Sequence, residues 1–498
     1  MKITKIEIKH FRGFPGPAVY TFDLPGGKNL LLYGENGSGK SSLYHALNQL
    51  FNVDLPAPSF GDLANLFGKD ENDQDVADGH VTVHMEGRPP VSFTWPQNGV
   101  RPTNPILIDA AMRKGFLEYR SLLRTNFVES SLEERLFQLA VEVLLARILV
   151  PLGGTPRMVG EYWKDVHTPA THYRRDLRPT EDAINQFNLA FKAVLPDVER
   201  KATELLDHFA DHHLKLQLEF DDLVYNKQQN KHQRRIENQA LRLRVEFNGI
   251  SILRHETLLN EARLSALALA LYLASVLLSN PAAGLAVPDP LKLLVLDDVL
   301  IGLDLSNRLP LLEILEQHFG DFQVILSTYD RVWFELAHLQ TLSTGRWSYA
   351  ELFSNWLGDP GYEIPVLKTD QGFIKQAKAH YTKNDYRAAA VYARAAFESK
   401  LRNFCSDRRL LVPFHTDPRQ VSSQDLWSAT AKAKRRDGTP YVDASTKANI
   451  EALRKVVLNP LNHAGARASP TRKWTPPLKR WRGYLSPRIH DPQMSAEQ

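Results

Sequence analysis

Residues 29–42 read Asn-Leu-Leu-Leu-Tyr-Gly-Glu-Asn-Gly-Ser-Gly-Lys-Ser-Ser. Gly34, Asn36, Gly37 and Gly39 thus precede Lys40, Ser41 and Ser42 in a single loop. Glycines in this pattern let successive backbone N–H groups converge on phosphate oxygens. The lysine reaches the outer phosphates, and the hydroxyl beside it reaches Mg²⁺. Such a loop works only between a strand and a helix, and both flanks agree. Leu30, Leu31 and Leu32 supply the strand, and Ser42 through Leu47 open a helix whose N-terminus favours anions. The spacing predicts a nucleoside triphosphate site.

A second group of candidates lies far downstream. An apolar run from Leu291 to Leu296 ends in Asp297 and Asp298. A buried strand that carries Asp297 to the loop lets it hold Mg²⁺ through water, and Asp298 is then placed to polarise an attacking water. Near the start, Ile3, Ile6 and Ile8 predict a strand ending in His10-Phe11-Arg12-Gly13-Phe14, with a second strand over 18–22. Arg12 is a candidate for a phosphate or base contact; the alternative is a surface arginine closing a turn.

Two further segments set the order of the motifs. Before the acidic strand, Leu259-Asn260-Glu261-Ala262-Arg263 opens an Ala/Leu-rich helix. After it come Ile301-Gly302-Leu303-Asp304, a helix, and the strand 323–328 leading to Tyr329 and Asp330. This order of loop, signature helix, acidic strand, Asp turn and switch strand resembles the ABC-type ATPase heads of the RecF and SMC group. It covers about residues 1–350, including the Phe-Arg-Gly-Phe start.

The resemblance implies an α/β ABC-type ATPase head of mixed sheets around a phosphate-loop core, with ATP and Mg²⁺ as ligands. Lys40 and Ser41 would hold phosphate and metal, Asp297 the metal shell and Asp298 the water. Arg12, Gly34, Asn36, Gly37, Gly39, Ser42, Asp304 and Tyr329 would line the nucleotide. It also implies a head-to-head dimer or higher even oligomer, in which Asn260 and Arg263 complete the neighbour's site. The chain departs from the family in three places. Asn260-Glu261-Ala262 stands where Ser-Gly-Gly is usual, Asp298 replaces a glutamate, and Tyr329 replaces a histidine. Ala262 restricts how closely backbone and phosphate approach. These changes point to slow or conditional hydrolysis. They resemble the ATPase components of prokaryotic anti-phage systems, of the PARIS or Septu kind, which implies a sensor controlling a separate effector, often a nuclease. The alternatives are a RecF-like DNA-repair ATPase and a ribonuclease in the C-terminal bundle controlled by the head.

The remaining sequence bounds this reading. At 498 residues, about two to four domains are expected. A net charge of +4 makes no global field for nucleic acid, and one cysteine, Cys405, excludes a disulfide framework. The apolar stretch 264–278 is short for a membrane span, so a cytoplasmic protein is expected.

Residues 1–110 form the predicted loop-bearing lobe. Within it, a hairpin is read around Val81, Val83, Val91, Phe93 and Trp95, and a short strand at Ile106-Leu107-Ile108. The stretch 115–120 stands where the RecF and SMC heads it resembles couple nucleotide to their inserted lobe. The resemblance implies that role for Glu118 or Arg120, with no glutamine in the expected place. Residues 111–210 read as a short helical insertion, with helices over 132–150 and 181–209 and no heptads for a long arm. Residues 211–350 complete the head. They include two alternating strands around Leu214–Phe220 and Leu241–Phe247, joined by a connection bearing Lys227, Lys231, His232, Arg234 and Arg235. That connection suits DNA phosphate, an acidic partner, or plain solvent.

Residues 351–370 read as a Gly/Pro linker, and 371–498 as an all-α domain. The latter resembles small HEPN-like bundles, some of which are ribonucleases. Arg454 lies too far from His463 for their arginine–histidine motif, so docking or dimerisation is expected. The stretch Arg472 to Arg482 carries Lys473, Trp474, Lys479, Arg480 and Trp481, and suits nucleic acid, an acidic protein, or attachment to its own domain.

Overall fold

Three apolar strands with every residue buried lie side by side: Asn29–Gly34, Gln323–Thr328 and Leu293–Asp297. Continuous apolar runs of this kind belong to parallel sheets covered on both faces. They come from a computed structural model that describes residues 1–53, 58–69, 74, 76–87, 89–119, 132–152, 156–167, 178–209, 214–227, 234–252, 260–279, 289–358, 361–369, 372–413, 421–435 and 437–453. The described chain divides into two compact units, Met1–Thr369 and Asp370–Gln498.

The main sheet of the first unit has six strands. Its order is Gly361–Thr369, Trp347–Gly358, Asn29–Gly34, Gln323–Thr328, Leu293–Asp297 and Gly115–Glu118. All neighbours pair in parallel except the outer hairpin Trp347–Gly358/Gly361–Thr369. Side chains alternate across the sheet and so feed two cores. On one face Leu31, Leu294, Leu296 and Leu326 pack with the helix Glu261–Leu278. On the other Leu30, Leu32, Val295 and Ile325 pack with Leu43, Leu47 and Leu50 of the helix Lys40–Leu50. The helix Glu261–Leu278 is long and apolar enough to cross a membrane, yet it is a core element here, with Leu269, Ala270, Leu273 and Ala274 fully buried.

An antiparallel sheet ordered Tyr20–Asp23, Ile3–Lys9, His80–Met85, Val91–Pro96 covers the second core. Ile3 and Ile6 are three apart, so a regular strand would turn them to opposite faces. The pairing register shifts between Ile3 and Lys5, and both side chains are fully buried. Gln323 stitches the two sheets: its Oε1 accepts from the Ile3 N–H (2.6 Å), and its Nε2 donates to the Ile3 and Lys28 carbonyls (2.8 and 2.9 Å).

The insertion is built on the 29-residue helix Arg178–Leu206, packed with Leu132–Leu139, Val159–His167 and a three-stranded sheet. Phe137, Trp163, Phe187, Phe191 and Phe220 form its aromatic centre. The helix expected over 132–150 stops earlier. A π-turn, Ala140–Leu144, ends it, and the chain turns into the short strand Leu149–Val150. The strands Leu214–Phe220 and Leu241–Phe247 pair antiparallel, as their alternation predicts.

Two expectations are overturned. The residues Ile106, Leu107 and Ile108 lie in the helix Pro105–Arg113, not in a strand. Asn104 caps it by accepting the Ile106 N–H, and Pro105 takes the first-turn position that needs no donor. The stretch 351–370 is not a linker. Through Thr369 it forms most of the outer hairpin, and Pro365 is tolerated because its strand is the sheet edge.

The second unit holds the helices Gly372–Thr382, Tyr386–Asp407, Ser423–Lys432 and Ala444–Leu453. Phe397, Leu401, Cys405, Leu426, Trp427 and Ile450 make its core. Arg454, His463 and the basic stretch 472–484 lie outside the described residues, as do Arg120, Lys231 and His232.

Candidate nucleotide site

The strand Asn29–Gly34 ends in a turn whose Gly37 and Gly39 hold φ of 87° and 104°, left-handed values that favour glycine. Gly34 is needed for space, since a Cβ there would lie 2.4 Å from Ser38 Oγ and 2.9 Å from Lys40 Cγ. Lys40 opens the helix. Its buried Nζ donates back to the carbonyls of Gly34 (2.7 Å) and Glu35 (3.1 Å) and lies 3.3 Å from Asp298 Oδ2. Ser41 is exposed in the first helical turn. Ser42 is buried, and its Oγ accepts the Gly13 N–H at 3.0 Å, so it docks the Arg12–Gly13 turn onto the loop helix. Arg12 itself is exposed, with φ of 47°.

The acidic strand reaches this loop as its sequence implies. Parallel register sets Asp297 opposite Ser327 on one side and Glu118 on the other. Asp297 is buried, and its Oδ1 accepts the Ser327 hydroxyl at 2.5 Å. Asp298 takes φ of 52°, a left-handed conformation that Asp tolerates better than most residues. Burial raises its carboxyl above the usual Asp range. Lys40 opposes that shift, Asp297 adds to it, and the Tyr329 backbone N–H opposes it. Asp298 Oδ1 and Ser38 Oγ are buried without a hydrogen-bond partner. Unsatisfied buried polar atoms beside a loop of convergent amides fit a polar anionic ligand with its cation.

The remaining candidates divide into two places. Tyr329, 38% exposed, follows the switch strand beside Asp298. Asn260, Glu261, Ala262, Gly302, Asp304 and Arg308 line a separate open cleft of about 480 Å³. Asn260 Oδ1 accepts the Arg263 N–H at 3.0 Å, capping the signature helix, and the Arg263 guanidinium lies over Phe247 at 4.9 Å. Gly302 lets the Asp turn meet that helix, because a Cβ there would fall 2.2 Å from Ser265 Oγ.

Sequence reasoning missed Arg308. It donates to the Leu303 carbonyl at 2.6 Å and forms an ion pair with Asp330, which caps the helix Arg331–Leu342. Its position one turn beyond Asp304 was the available signal. In the basic connection, Lys227 is paired with Glu181 and Arg235 with Glu237 (3.0 Å).

No protein-family model matches the chain, and no curated protein matches it. Among solved structures it is similar to an SMC head bound to the C-winged helix domain of ScpA (14% identity, 75% of this chain and 100% of that chain, TM-score 0.43). Others are the SMC head domain from Thermotoga maritima (15%, 74% and 99%, TM-score 0.34) and RecF bound to ATP (14%, 66% and 92%, TM-score 0.36). At these identities the likeness concerns the fold alone.

Proposed function

We propose that this chain binds and hydrolyses ATP with Mg²⁺, as an ABC-type ATPase whose heads act in pairs. The observation that carries this reading is the meeting of Lys40 with Asp298 at the mouth of the glycine loop, beside the buried Asp297. The loop amides and Lys40 hold the phosphates. Ser41 and Asp297 would hold Mg²⁺, which when bound polarises phosphate oxygens. Asp298 accepts a proton from the attacking water, and its raised carboxyl suits that task better than an ordinary exposed aspartate.

The cleft between signature helix and Asp turn is lined by none of the loop residues. That supports a role toward a second head, with Asn260 and Arg263 acting across the pair. The output is conformational control of a separately encoded effector in anti-phage defence. This part rests on the sequence resemblance.

The test is steady-state ATP hydrolysis by wild type and Lys40→Ala, with and without duplex DNA. Turnover that requires Lys40 and ignores DNA supports the effector-controlling head. Turnover raised by DNA favours the repair reading. Turnover indifferent to Lys40 removes the site.

A further inference from the structure

The outer hairpin does not end with the sheet. Its last pair with the loop strand is Leu352 with Gly34, yet it continues through six further cross-strand pairs that include Asn355–Ile364, Trp356–Glu363 and Leu357–Tyr362. This overhang lies against the phosphate loop. Ideal Cβ positions at Gly37 and Gly39 fall 3.3 Å from Glu363 Oε2 and 3.4 Å from Pro365 Cγ. At its far end Tyr362 stacks on Phe67, with ring centroids 5.3 Å apart and planes 18° from parallel.

Phe67 is 56% exposed, and the neighbouring Leu66 is 86% exposed. A solvent-facing aromatic is held here with care. Asn65 Oδ1 accepts the N–H groups of Phe67 (2.9 Å) and Gly68 (3.0 Å), and its Nδ2 donates to the Arg12 carbonyl. The Arg12–Gly13 turn is fixed in turn to Ser42 of the loop helix. These links run around the loop mouth from Ser42 through Gly13, Arg12, Asn65 and Phe67 to Tyr362, and the next residue, Glu363, brings its carboxylate up to Gly37.

The sheet order gives this path its direction. Asp297 and Asp298 stand on the side of the loop toward the switch and acidic strands, which marks the outer-phosphate end. The nucleoside of a bound triphosphate then leaves on the opposite side, where the hairpin and Phe67 lie. We infer that Phe67 and Tyr362 form the platform on which the nucleotide base stacks, and that Glu363 accepts hydrogen bonds from the ribose hydroxyls. This rests on the phosphate-loop reading above. Aromatic faces bind bases by stacking and discriminate weakly among them, while a carboxylate distinguishes a hydroxylated sugar.

The experiment is equilibrium binding of Mg·ATP and of inorganic tripolyphosphate to the full chain. The variants are Lys40→Ala, Phe67→Ala, Phe67→Trp, Tyr362→Ala and Glu363→Gln. Phe67→Ala and Tyr362→Ala are each expected to weaken ATP by about tenfold or more, with tripolyphosphate unchanged and Phe67→Trp near wild type. Glu363→Gln is expected to shrink the preference for ATP over 2′,3′-dideoxy-ATP. ATP binding that Lys40→Ala loses and both ring variants keep overturns the base platform alone, as does an equal loss of ATP and tripolyphosphate. A wild type that binds neither ligand overturns the phosphate site and this inference with it.

Discussion

Lys40 Nζ lies 3.3 Å from Asp298 Oδ2 while donating to the carbonyls of Gly34 and Glu35. The ammonium therefore has three oxygen partners before any phosphate arrives. It also supplies the charge that partly offsets the burial of Asp298. Phosphate and carboxylate compete for one cation, so binding of the triphosphate draws Lys40 away from Asp298.

This competition separates binding from turnover. In Asp298→Asn the lysine keeps both carbonyl acceptors, so ATP affinity is expected to stay within a few fold of wild type or tighten. Loss of the proton acceptor is expected to lower kcat by about 10²–10⁴. In wild type kcat should fall as pH drops and Asp298 takes up a proton, because the rate needs the ionised form. Isothermal binding and a pH series of steady-state rates check both statements. An acid limb that Asp298→Asn leaves in place, or parallel losses of affinity and rate, would remove Asp298 from the proton-accepting role.

The signature cleft makes a prediction about pairs. If Asn260 serves the neighbour's site, Lys40→Ala and Asn260→Ala homodimers are both inactive by separate routes. Their one-to-one mixture is expected to regain about a quarter of wild-type turnover, since half the dimers are mixed and each has one intact site. Asn260→Ala also loses a helix cap, costing about 1 kcal/mol, so its melting temperature must be recorded beside its rate. A mixture no more active than its components places Asn260 outside a shared site.

What the sequence made legible was contiguous. The loop from Gly34 to Ser42 and the pair Asp297-Asp298 each read from a few adjacent residues, and the strands that carry them are uniform apolar runs. Their convergence follows once those strands are parallel neighbours. The hairpin Trp347–Gly358/Gly361–Thr369 was hidden because Gly358, Pro360 and Pro365 resemble linker chemistry, and nothing local tells that Pro365 sits on an edge. Asn104-Pro105 was a readable helix start, outweighed by three β-favouring apolar residues. Contacts such as Phe67 on Tyr362 or Arg308 with Asp330 join segments far apart in sequence. No periodicity encodes them.

Arg308 is expected to act through position. It joins the Asp turn, through the Leu303 carbonyl, to Asp330 at the start of the helix after the switch strand. Arg308→Ala leaves Asp330 without its cation and frees both segments. The expected result is ATP affinity near wild type with kcat lowered about tenfold or more, and a destabilisation of about 1–3 kcal/mol in chemical denaturation. Arg308→Lys, which keeps the charge without the two-armed geometry, should recover stability better than rate. A fall in affinity equal to the fall in kcat would refute a purely positional role.

A histidine pair ties the insertion to the head. His208 Nε2 and His318 Nε2 are 3.1 Å apart, one following the helix Arg178–Leu206 and the other ending the helix Pro310–His318. Such a contact needs one ring nitrogen as donor and the other as acceptor; protonating both rings leaves two donors facing each other. Burial lowers His318 below its ordinary 6.5, while Glu204 works against the shift and His208 and Lys201 add to it. The unfolded chain therefore takes up the proton more readily. Stability from this group is complete above pH 6.5 and falls as pH drops through that value toward the lowered one. His318→Gln is expected to show a shallower fall in melting temperature from about pH 7.5 to 5.5 than wild type, with the gap modest because the ring is partly solvated. Thermal melts of both proteins across that range decide it: superimposable slopes would mean the pair does not titrate against folding.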